Sequence, residues 1–192
     1  AKRKAEVSSP AFFKKGRKAV EDATEGSNGQ TFLKLADGDS FEIVSVGGLE
    51  ELLTFDQHAF WLDGGNSPIF PCLQTKDCPG CMLNDDPRFK AILPVLVKTD
   101  AGQEERLVVL GKQAVKQLSE AEDAVGESLH GHILRYAPKG TNLNTRYTVI
   151  PTGRKYSNTP SIEDFGLQPE EHAGPSDREE IIKILKEAKL WK

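Results

Sequence analysis

Cysteine is scarce in this sequence, and long apolar runs are missing. The 192 residues include 3 cysteines, and an odd number of cysteines argues against a disulfide framework. No apolar stretch has the length of a membrane span, and the first residues lack the apolar segment of a secretory signal. We therefore expect a cytoplasmic protein with reduced thiols and no membrane partner.

Charge of one sign is almost missing from two segments, although the net charge is only −4. Residues 2–18 carry 7 Lys or Arg against 1 Glu, whereas residues 161–180 carry 7 Asp or Glu against 1 Arg. The basic segment predicts either contact with a polyanion or a solvated terminus. We assign residues 1–30 to a basic, partly disordered arm. Its candidate phosphate contacts are Lys14, Lys15, Arg17 and Lys18.

The apolar pattern predicts a mainly β protein. TFLKL and FEIVSV flank an Asp-Gly turn, and LLTFDQHAFWL is expected to be a third strand. RFKAILPVLVKT and ERLVVLG follow as strands, KQAVKQLSEAEDAV as a helix, and HGHILRYA and TRYTVIP as closing strands. This order fits a five-stranded OB-fold barrel with one helix between barrel strands, while a sandwich or a larger mixed sheet stays open.

The clearest strand carries a proline in its middle. Apolar residues of one parity predict a core-facing side, and Lys90 and Lys98 predict that the other side is partly exposed to solvent. Pro94 predicts a sheet edge or a bulge, because proline cannot donate a ladder hydrogen bond. The expected core-facing residues are Phe89, Ala91, Leu93, Val95 and Val97.

The predicted barrel domain covers residues 31–156. An insert rich in Gly, Pro, Asn and Cys interrupts it at about residues 64–88. Residues 157–192 begin as an acidic linker and end in an amphipathic helix, where Ser176 and Glu179 have the spacing of a capping box. The apolar face of this helix is expected either to dock on its own barrel or to bind a neighbouring subunit or another protein.

All 3 cysteines lie within ten residues, behind a lone histidine. Cys78 and Cys81 form a C-x2-C knuckle, and Cys72 precedes it by six residues. Three thiolates and one imidazole make a closed, tetrahedral zinc site of the structural kind. His58 is favoured as the fourth ligand, because the strand that carries it leads into the cysteine segment.

Several alternatives to this site compete. His130 and His132 are rivals for the fourth ligand position. A C-x2-C redox pair is expected to open a helix in a βαβ unit, whereas this pair lies in a turn-rich insert. A zinc deaminase needs a Glu two residues after its ligand histidine, where this sequence has Phe60. Because four protein ligands also leave no place for an activated water, we expect no enzyme.

Aromatic residues repeatedly lie beside basic or amide residues. Single-stranded nucleic acid binding uses this mixture, because bases stack on rings while Lys and Arg contact phosphates. For any single ring, a place in the core is the simpler interpretation, and neighbouring residues of a strand face opposite sides. The candidate contacts in the body of the chain are Phe60, Trp61, Lys90, Arg135, Tyr136, Lys139, Asn144, Arg146 and Tyr147.

The chain resembles the single-stranded DNA-binding proteins of tailed bacteriophages, which carry an OB fold with an inserted zinc subdomain, as in the T4-type replication protein. The resemblance covers about residues 31–156 and rests on DGDSFEIV, DQHAFW, PC followed by CPGC, VLGKQAVKQL and ILRYAPKGTNLNTRYTVIP. It maps the zinc ligands to His58, Cys72, Cys78 and Cys81. Two features depart from the family: a shorter spacing between the first two cysteines, and a final KEAKLWK in place of a long acidic tail.

The resemblance implies a non-enzymatic protein of phage DNA replication and recombination. Such a protein coats and protects single strands in the cytoplasm of the bacterial host. The partners that it implies are single-stranded DNA, a phage polymerase, helicase or recombinase, and further copies of itself along the DNA. The alternative is a zinc-stabilised protein-interaction module of a replication or transcription complex, favoured by the acidic net charge and the C-terminal helix.

Overall fold

The structure, a computed structural model, describes residues 31–33, 40–62, 67–99, 102–139 and 146–192. None of the helices in these residues is long and apolar enough to cross a membrane. Some predicted nucleic-acid contacts lie outside the described residues. They are Lys14, Lys15, Arg17, Lys18 and Asn144.

The described residues contain seven strands and several helices, so the prediction of a mainly β fold is confirmed. The strands are β1 (Phe41–Ser45), β2 (Leu53–Ala59), β3 (Ile69–Pro71), β4 (Arg88–Thr99), β5 (Gly102–Gly111), β6 (His132–Lys139) and β7 (Arg146–Lys155). The helices are α1 (Pro79–Met82), α2 (Lys112–Val125), α3 (Pro169–His172) and α4 (Arg178–Glu187), and a 3-10 turn spans Leu49–Glu51.

The strands pair in the order β3-β2-β4-β1-β6-β7, with β5 paired to β4. Each strand pair with a described register is antiparallel. Among the described residues the sheet is open and is not a closed barrel. The five-stranded OB barrel therefore stays a prediction.

The chain divides into two compact units. Of the described residues, one unit holds 55–62, 67–88 and Glu170–Lys192, and we call it the cysteine unit. The other holds the remaining described residues, and we call it the sheet unit. The described residues of the cysteine unit include the part of β2 from Phe55 onward, which pairs with β3 so that His58 lies opposite Phe70.

The strands of the sheet unit follow a Greek-key order. β1, β4 and β5 are successive neighbours, and β6 returns to the free side of β1, which gives the spatial order β6-β1-β4-β5. β7 then pairs with β6. Helix α2 fills the connection between β5 and β6 and contacts both β5 and β7.

The core of the sheet unit confirms the predicted parity of β4. Side chains of that parity lie in one buried cluster with α2 residues Ala114 and Leu118. The opposite side of β4 is more buried than predicted, since Ile92 and Leu96 are also buried. Val125, at the end of α2, is exposed. The β4 residues in or against the cluster are Phe89, Ala91, Leu93, Val95 and Val97.

Pro94 lies in a strand that has partners on both sides, so its prediction as an edge or bulge residue is wrong. The Val46 N–H donates to the Pro94 carbonyl at 3.0 Å, just where the pairing of β1 with β4 ends. An antiparallel pair of this kind normally exchanges two bonds, but proline has no N–H for the second. The His130 Nδ1 lies 2.6 Å from the Val46 carbonyl and donates to it instead.

Helix α4 begins one residue later than its predicted capping box requires. Asp177 is the N-cap, and its Oδ1 accepts from the N–H groups of Glu179 at 2.9 Å and Glu180 at 3.0 Å. The helix ends at Glu187 with Ala188 as its C-cap; the next residue, Lys189, has φ +60°, and the Leu190 N–H donates back to the Leu185 carbonyl at 2.8 Å. This is a Schellman-type ending with lysine where glycine is usual.

Candidate metal centre

The four predicted ligands come together in the cysteine unit. The ligand atoms of His58, Cys72, Cys78 and Cys81 all lie within 4.8 Å of one another. The Cys72 Sγ is 3.8 Å from the Cys78 Sγ and 3.7 Å from the Cys81 Sγ. The His58 Nε2 is 3.6 Å from the Cys78 Sγ and 3.5 Å from the Cys81 Sγ.

These four distances match four of the six edges of a tetrahedron of the size that zinc requires, and the other two ligand pairs lie within 4.8 Å. Zinc–sulfur bonds of about 2.3 Å and zinc–nitrogen bonds of about 2.0–2.1 Å at tetrahedral angles put two sulfurs about 3.8 Å apart, and a sulfur and a nitrogen about 3.6 Å apart. A disulfide needs sulfurs about 2.05 Å apart, so the three thiols are free. The cluster could therefore hold a metal ion such as zinc, and neither rival histidine belongs to it.

A short hairpin and a knuckle position the ligands. His58 lies near the end of β2, paired with Phe70 of β3. Cys72 follows β3 directly, and its N–H donates to the Asp56 carbonyl at 2.7 Å, which continues the pairing by one step. Cys78 is the N-cap of α1 and Cys81 lies within that helix, so one turn of chain presents both thiols.

Gly80 is required by a close approach and not by its own backbone angles. A Cβ added there would lie 2.4 Å from the Cδ2 and Cγ atoms of the His58 ring, and Gly80 has no positive φ. Real Cβ contacts are essentially never shorter than 3.0 Å. The imidazole of His58 therefore packs directly on the backbone of the knuckle.

Asp85 orients the histidine, and the sequence did not identify it. The His58 Nδ1 donates to the Asp85 Oδ2 at 2.9 Å, and the His58 side chain is fully buried. A proton held on Nδ1 leaves the lone pair of Nε2 directed at the thiols, as in the carboxylate–histidine–metal arrangement of many zinc sites. Asn84, with φ +58°, turns the chain so that the Asp85 N–H donates to the Gly80 carbonyl at 3.2 Å.

The thiols are electrostatically coupled. Burial alone would raise the pKa of Cys78, but hydrogen bonds with the backbone of Cys81, Leu73 and Gly80 outweigh it and lower this pKa to about 7. Burial, and then the thiols of Cys72 and Cys78, raise the pKa of Cys81 to about 12. A divalent cation at the centre would favour all three thiolates, because its charge offsets their mutual repulsion.

The aromatic candidates for nucleic-acid contact divide into exposed and packed rings. Trp61, two residues after the end of β2, is 66% exposed. Phe60 is half-buried and stacks on Phe70, with ring centroids 6.0 Å apart. Tyr136 is only 3% exposed and lies in the core cluster of the sheet unit. Only Trp61 of these three presents most of its ring to solvent.

The basic candidates of the sheet unit lie on β4, β6 and β7. Arg135 is exposed on β6, opposite Glu42 of β1, whereas Lys90 is half-buried on β4. Sequence reasoning missed Ile150, which is 55% exposed opposite Arg135, and Arg154, which is ion-paired with Glu42. The hairpin of β6 and β7 pairs the backbones of Lys139 with Arg146 and of Pro138 with Tyr147.

A comparison of the chain with protein-family models, curated proteins and solved structures found no match.

Proposed function

We propose that this chain binds single-stranded DNA through a partly open OB-type barrel, and that a structural zinc ion holds its cysteine unit together. The observation that carries the proposal is the strand order β6-β1-β4-β5, with α2 between the third and fourth strands of the sheet unit. The OB fold is a partly open Greek-key barrel of this kind and commonly binds oligonucleotides.

A fold alone does not define a function, so the proposal also needs a suitable surface. Glu42, Arg135 and Ile150 are successive cross-strand partners and therefore share one face of the sheet. Arg154 joins them through its ion pair with Glu42. This face offers the Arg135 guanidinium for a phosphate, with the Arg154 guanidinium beside it in its ion pair with Glu42, next to an exposed apolar side chain for a base, which is the mixture that single strands favour.

Trp61 is our candidate for base stacking in the cysteine unit. Its ring is exposed, and its neighbour Phe60 packs on Phe70 and so anchors the chain beside it. We leave Tyr136 out of the proposed interface, because a ring in the core cannot stack on a base while the core stays closed. Base–aromatic stacking contributes about 1–3 kcal/mol per base, so Trp61→Ala is expected to weaken binding about 5- to 150-fold.

Zinc is the metal that the donor set favours. Three thiolates and one imidazole suit zinc, and a closed set of four protein ligands is typical of its structural sites. We therefore assign the centre a structural and non-enzymatic role. A cobalt-substituted sample should show the spectrum of a four-coordinate site with protein ligands only. A spectrum with a labile water ligand would instead favour a hydrolytic centre.

The decisive experiment is a titration with fluorescent oligo-dT, oligo-U and duplex DNA at several salt concentrations. We expect binding to oligo-dT that weakens linearly in log–log form as salt rises, since phosphate contacts release counterions. Arg135→Ala should reduce the salt dependence, whereas Trp61→Ala should leave the slope unchanged and lower the affinity. No binding to single strands at low salt would refute the proposal.

The resemblance to the phage proteins extends this proposal to a biological role. On that basis the chain coats and protects single strands during phage DNA replication and recombination, in the cytoplasm of the bacterial host. Polymerase, helicase or recombinase and further copies of the chain are its proposed partners. Protection of a labelled single strand from a nuclease, at saturating protein and low salt, tests the coating step.

A protein-interaction module is the second candidate. Met82 of α1 is 52% exposed in the same unit as Trp61, so this unit presents two large apolar side chains that a protein partner could cover. This candidate predicts a purified chain without affinity for any oligonucleotide. It also predicts that Trp61→Ala and Met82→Ala abolish the binding of a replication or transcription partner after nuclease treatment.

A further inference from the structure

We propose that helix α4 is a functional part of the metal centre: the metal ion and the helix order the same segment, so each strengthens the binding of the other. The inference rests on the proposed metal centre, but not on nucleic-acid binding. It concerns only residues of the cysteine unit.

The apolar face of α4 packs on the segment that carries the ligands. Ile181 and Leu185 are fully buried, in one cluster with Phe70 of β3. These three side chains are the centre of a small core within the cysteine unit. The half-buried residues that pack against it are Phe60, Leu73, Leu83, Leu190 and Trp191.

The residues that contact the helix lie beside the cysteines in the chain. Phe70 precedes Cys72 by two residues and Leu73 follows it directly, so the first thiol is flanked on both sides by this core. Leu83 follows Cys81 by two residues. The positions of these two thiols are therefore determined in part by side chains that pack with α4.

The second cysteine of the set is linked to the helix through polar contacts. The Arg178 Nε donates to the Asp77 carbonyl at 3.2 Å and lies 3.3 Å from the Asp77 Oδ2. Asp77 immediately precedes Cys78, and Arg178 is the first residue of α4. The start of the helix thus holds the chain at the entrance to the knuckle.

The histidine ligand is linked to the helix through an aromatic contact. The His58 ring lies against the Phe70 ring, with centroids 5.6 Å apart, and Phe70 is buried beneath Ile181 and Leu185. The His58 ring is therefore connected to the helix through Phe70. Each cysteine is connected to it through a residue one or two positions away in the chain.

Neither part is expected to be stable without the other. Helix α4 has 10 residues, β3 has 3 and α1 has 4, and isolated helices shorter than about 12–15 residues are marginal in water. A metal ion would tie the four ligands of this segment together, and Ile181 and Leu185 of the helix are the fully buried side chains that pack with its Phe70. By thermodynamic linkage, the factor by which the helix improves metal affinity equals the factor by which metal improves helix docking.

The first test measures metal affinity in the full-length chain, by competition between zinc-loaded protein and a chromophoric chelator. Leu185→Ala is expected to lower zinc affinity at least about fivefold, the lower end of typical coupling between sites. Arg178→Ala, which removes only the bonds to Asp77, is expected to lower it less. Lys183→Ala is the matched control, because Lys183 is exposed on the same helix, and it should change the affinity less than about twofold.

The reciprocal test measures amide hydrogen exchange in α4 before and after removal of zinc with the chelator. Exchange in α4 is expected to accelerate, while the amides of α2 in the sheet unit serve as the internal control and stay protected. Cys81→Ser, which removes one ligand without touching the helix core, is expected to reproduce the acceleration.

The outcomes separate the coupling from the centre itself. Wild-type zinc affinity in both Leu185→Ala and Arg178→Ala would overturn the coupling, as would an unchanged exchange rate in α4 after zinc has been removed. A wild-type chain that binds no zinc would overturn the metal centre, whatever its affinity for DNA. If amide exchange in α2 also accelerates in Leu185→Ala, that variant has lost structure beyond the cysteine unit. The zinc affinity of Arg178→Ala then decides the first test.

Discussion

The closest contact in the metal centre leads to the sharpest prediction, for Gly80→Ala. The added Cβ would start 2.4 Å from two atoms of the His58 ring. A normal carbon–carbon contact is about 3.5–4.0 Å, so the ring or the knuckle must move by about 1 Å. Metal–ligand distances tolerate only about ±0.2 Å, and a shift of this size therefore misplaces the Nε2 ligand.

The cost of this shift can be bounded. Forcing an extra methyl group into a packed site typically costs about 1–3 kcal/mol, and His58 has little freedom to retreat because it is buried and held by Asp85. Because the metal binds only when His58 is in place, most of this cost is expected to lower zinc affinity. At about 1.4 kcal/mol per tenfold, that is about 5- to 150-fold.

Chelator competition measures the affinity, and zinc content after dialysis provides an independent readout. Gly111→Ser is the matched control: it also adds a Cβ, but it does so into open space and at a helix N-cap, where serine is favoured. We expect the control to bind zinc as the wild type does. Wild-type zinc affinity in Gly80→Ala would show that His58 does not pack on the knuckle, and the geometry of the centre would have to be abandoned.

Three further changes test other parts of the cysteine unit. Asp85→Asn is expected to lower zinc affinity about 10- to 100-fold in a chelator competition, as for other outer-shell carboxylates, whereas Asp86→Asn at the neighbouring exposed position should not. Lys189→Gly is expected to raise the free energy of unfolding in urea by up to about 1 kcal/mol, because it removes a side chain from a residue with φ +60°; an unchanged midpoint would contradict the Schellman-type ending. Burial lowers the pKa of His172, against a smaller opposite effect of Glu171. Above the unfolded pKa of about 6.5, His172 is neutral in both the folded and the unfolded chain, and its contribution to stability is fully present. As the pH falls from there through the lower folded pKa, the unfolded chain binds the proton more readily and this contribution is lost. His172→Gln should therefore flatten the acid side of a curve of unfolding free energy against pH.

The sequence predicted much of the local structure. Alternation along residues 88–99 identified the core-facing side of β4, since side chains of a strand alternate between its two faces whatever the strand pairs with. The burial of Ile92 and Leu96 on the other face could not be predicted in the same way, because it depends on what covers that face. The prediction for Pro94 failed for a similar reason. The Val46 carbonyl, which proline cannot bond, accepts from His130, and His130 is 36 positions further along the chain than Pro94.

The metal centre shows the same division. Three cysteines at close spacing and a preceding histidine were enough to propose the four ligands, because ligand type and local spacing follow from the chemistry of zinc. The sequence could not show that Asp85 rather than Asp86 is the partner of His58. That choice depends on the backbone turn at Asn84, which the residue pattern does not predict. The amphipathic pattern of α4 predicted a buried face, which we expected on the barrel or on another protein, whereas Ile181 and Leu185 pack with Phe70 in the cysteine unit.

Properties that depend on near neighbours could be read from the residues alone. They are the periodicity of strands and helices, the ligand types of the cysteine segment, and the uneven distribution of charge. The contacts between distant residues became known from the three-dimensional fold. The Arg178 Nε bonds to the carbonyl of Asp77, 101 positions away, and a Cβ on Gly80 would clash with His58. Such contacts depend on which distant segments of the chain lie side by side in the fold. A local pattern of residue types does not contain that information.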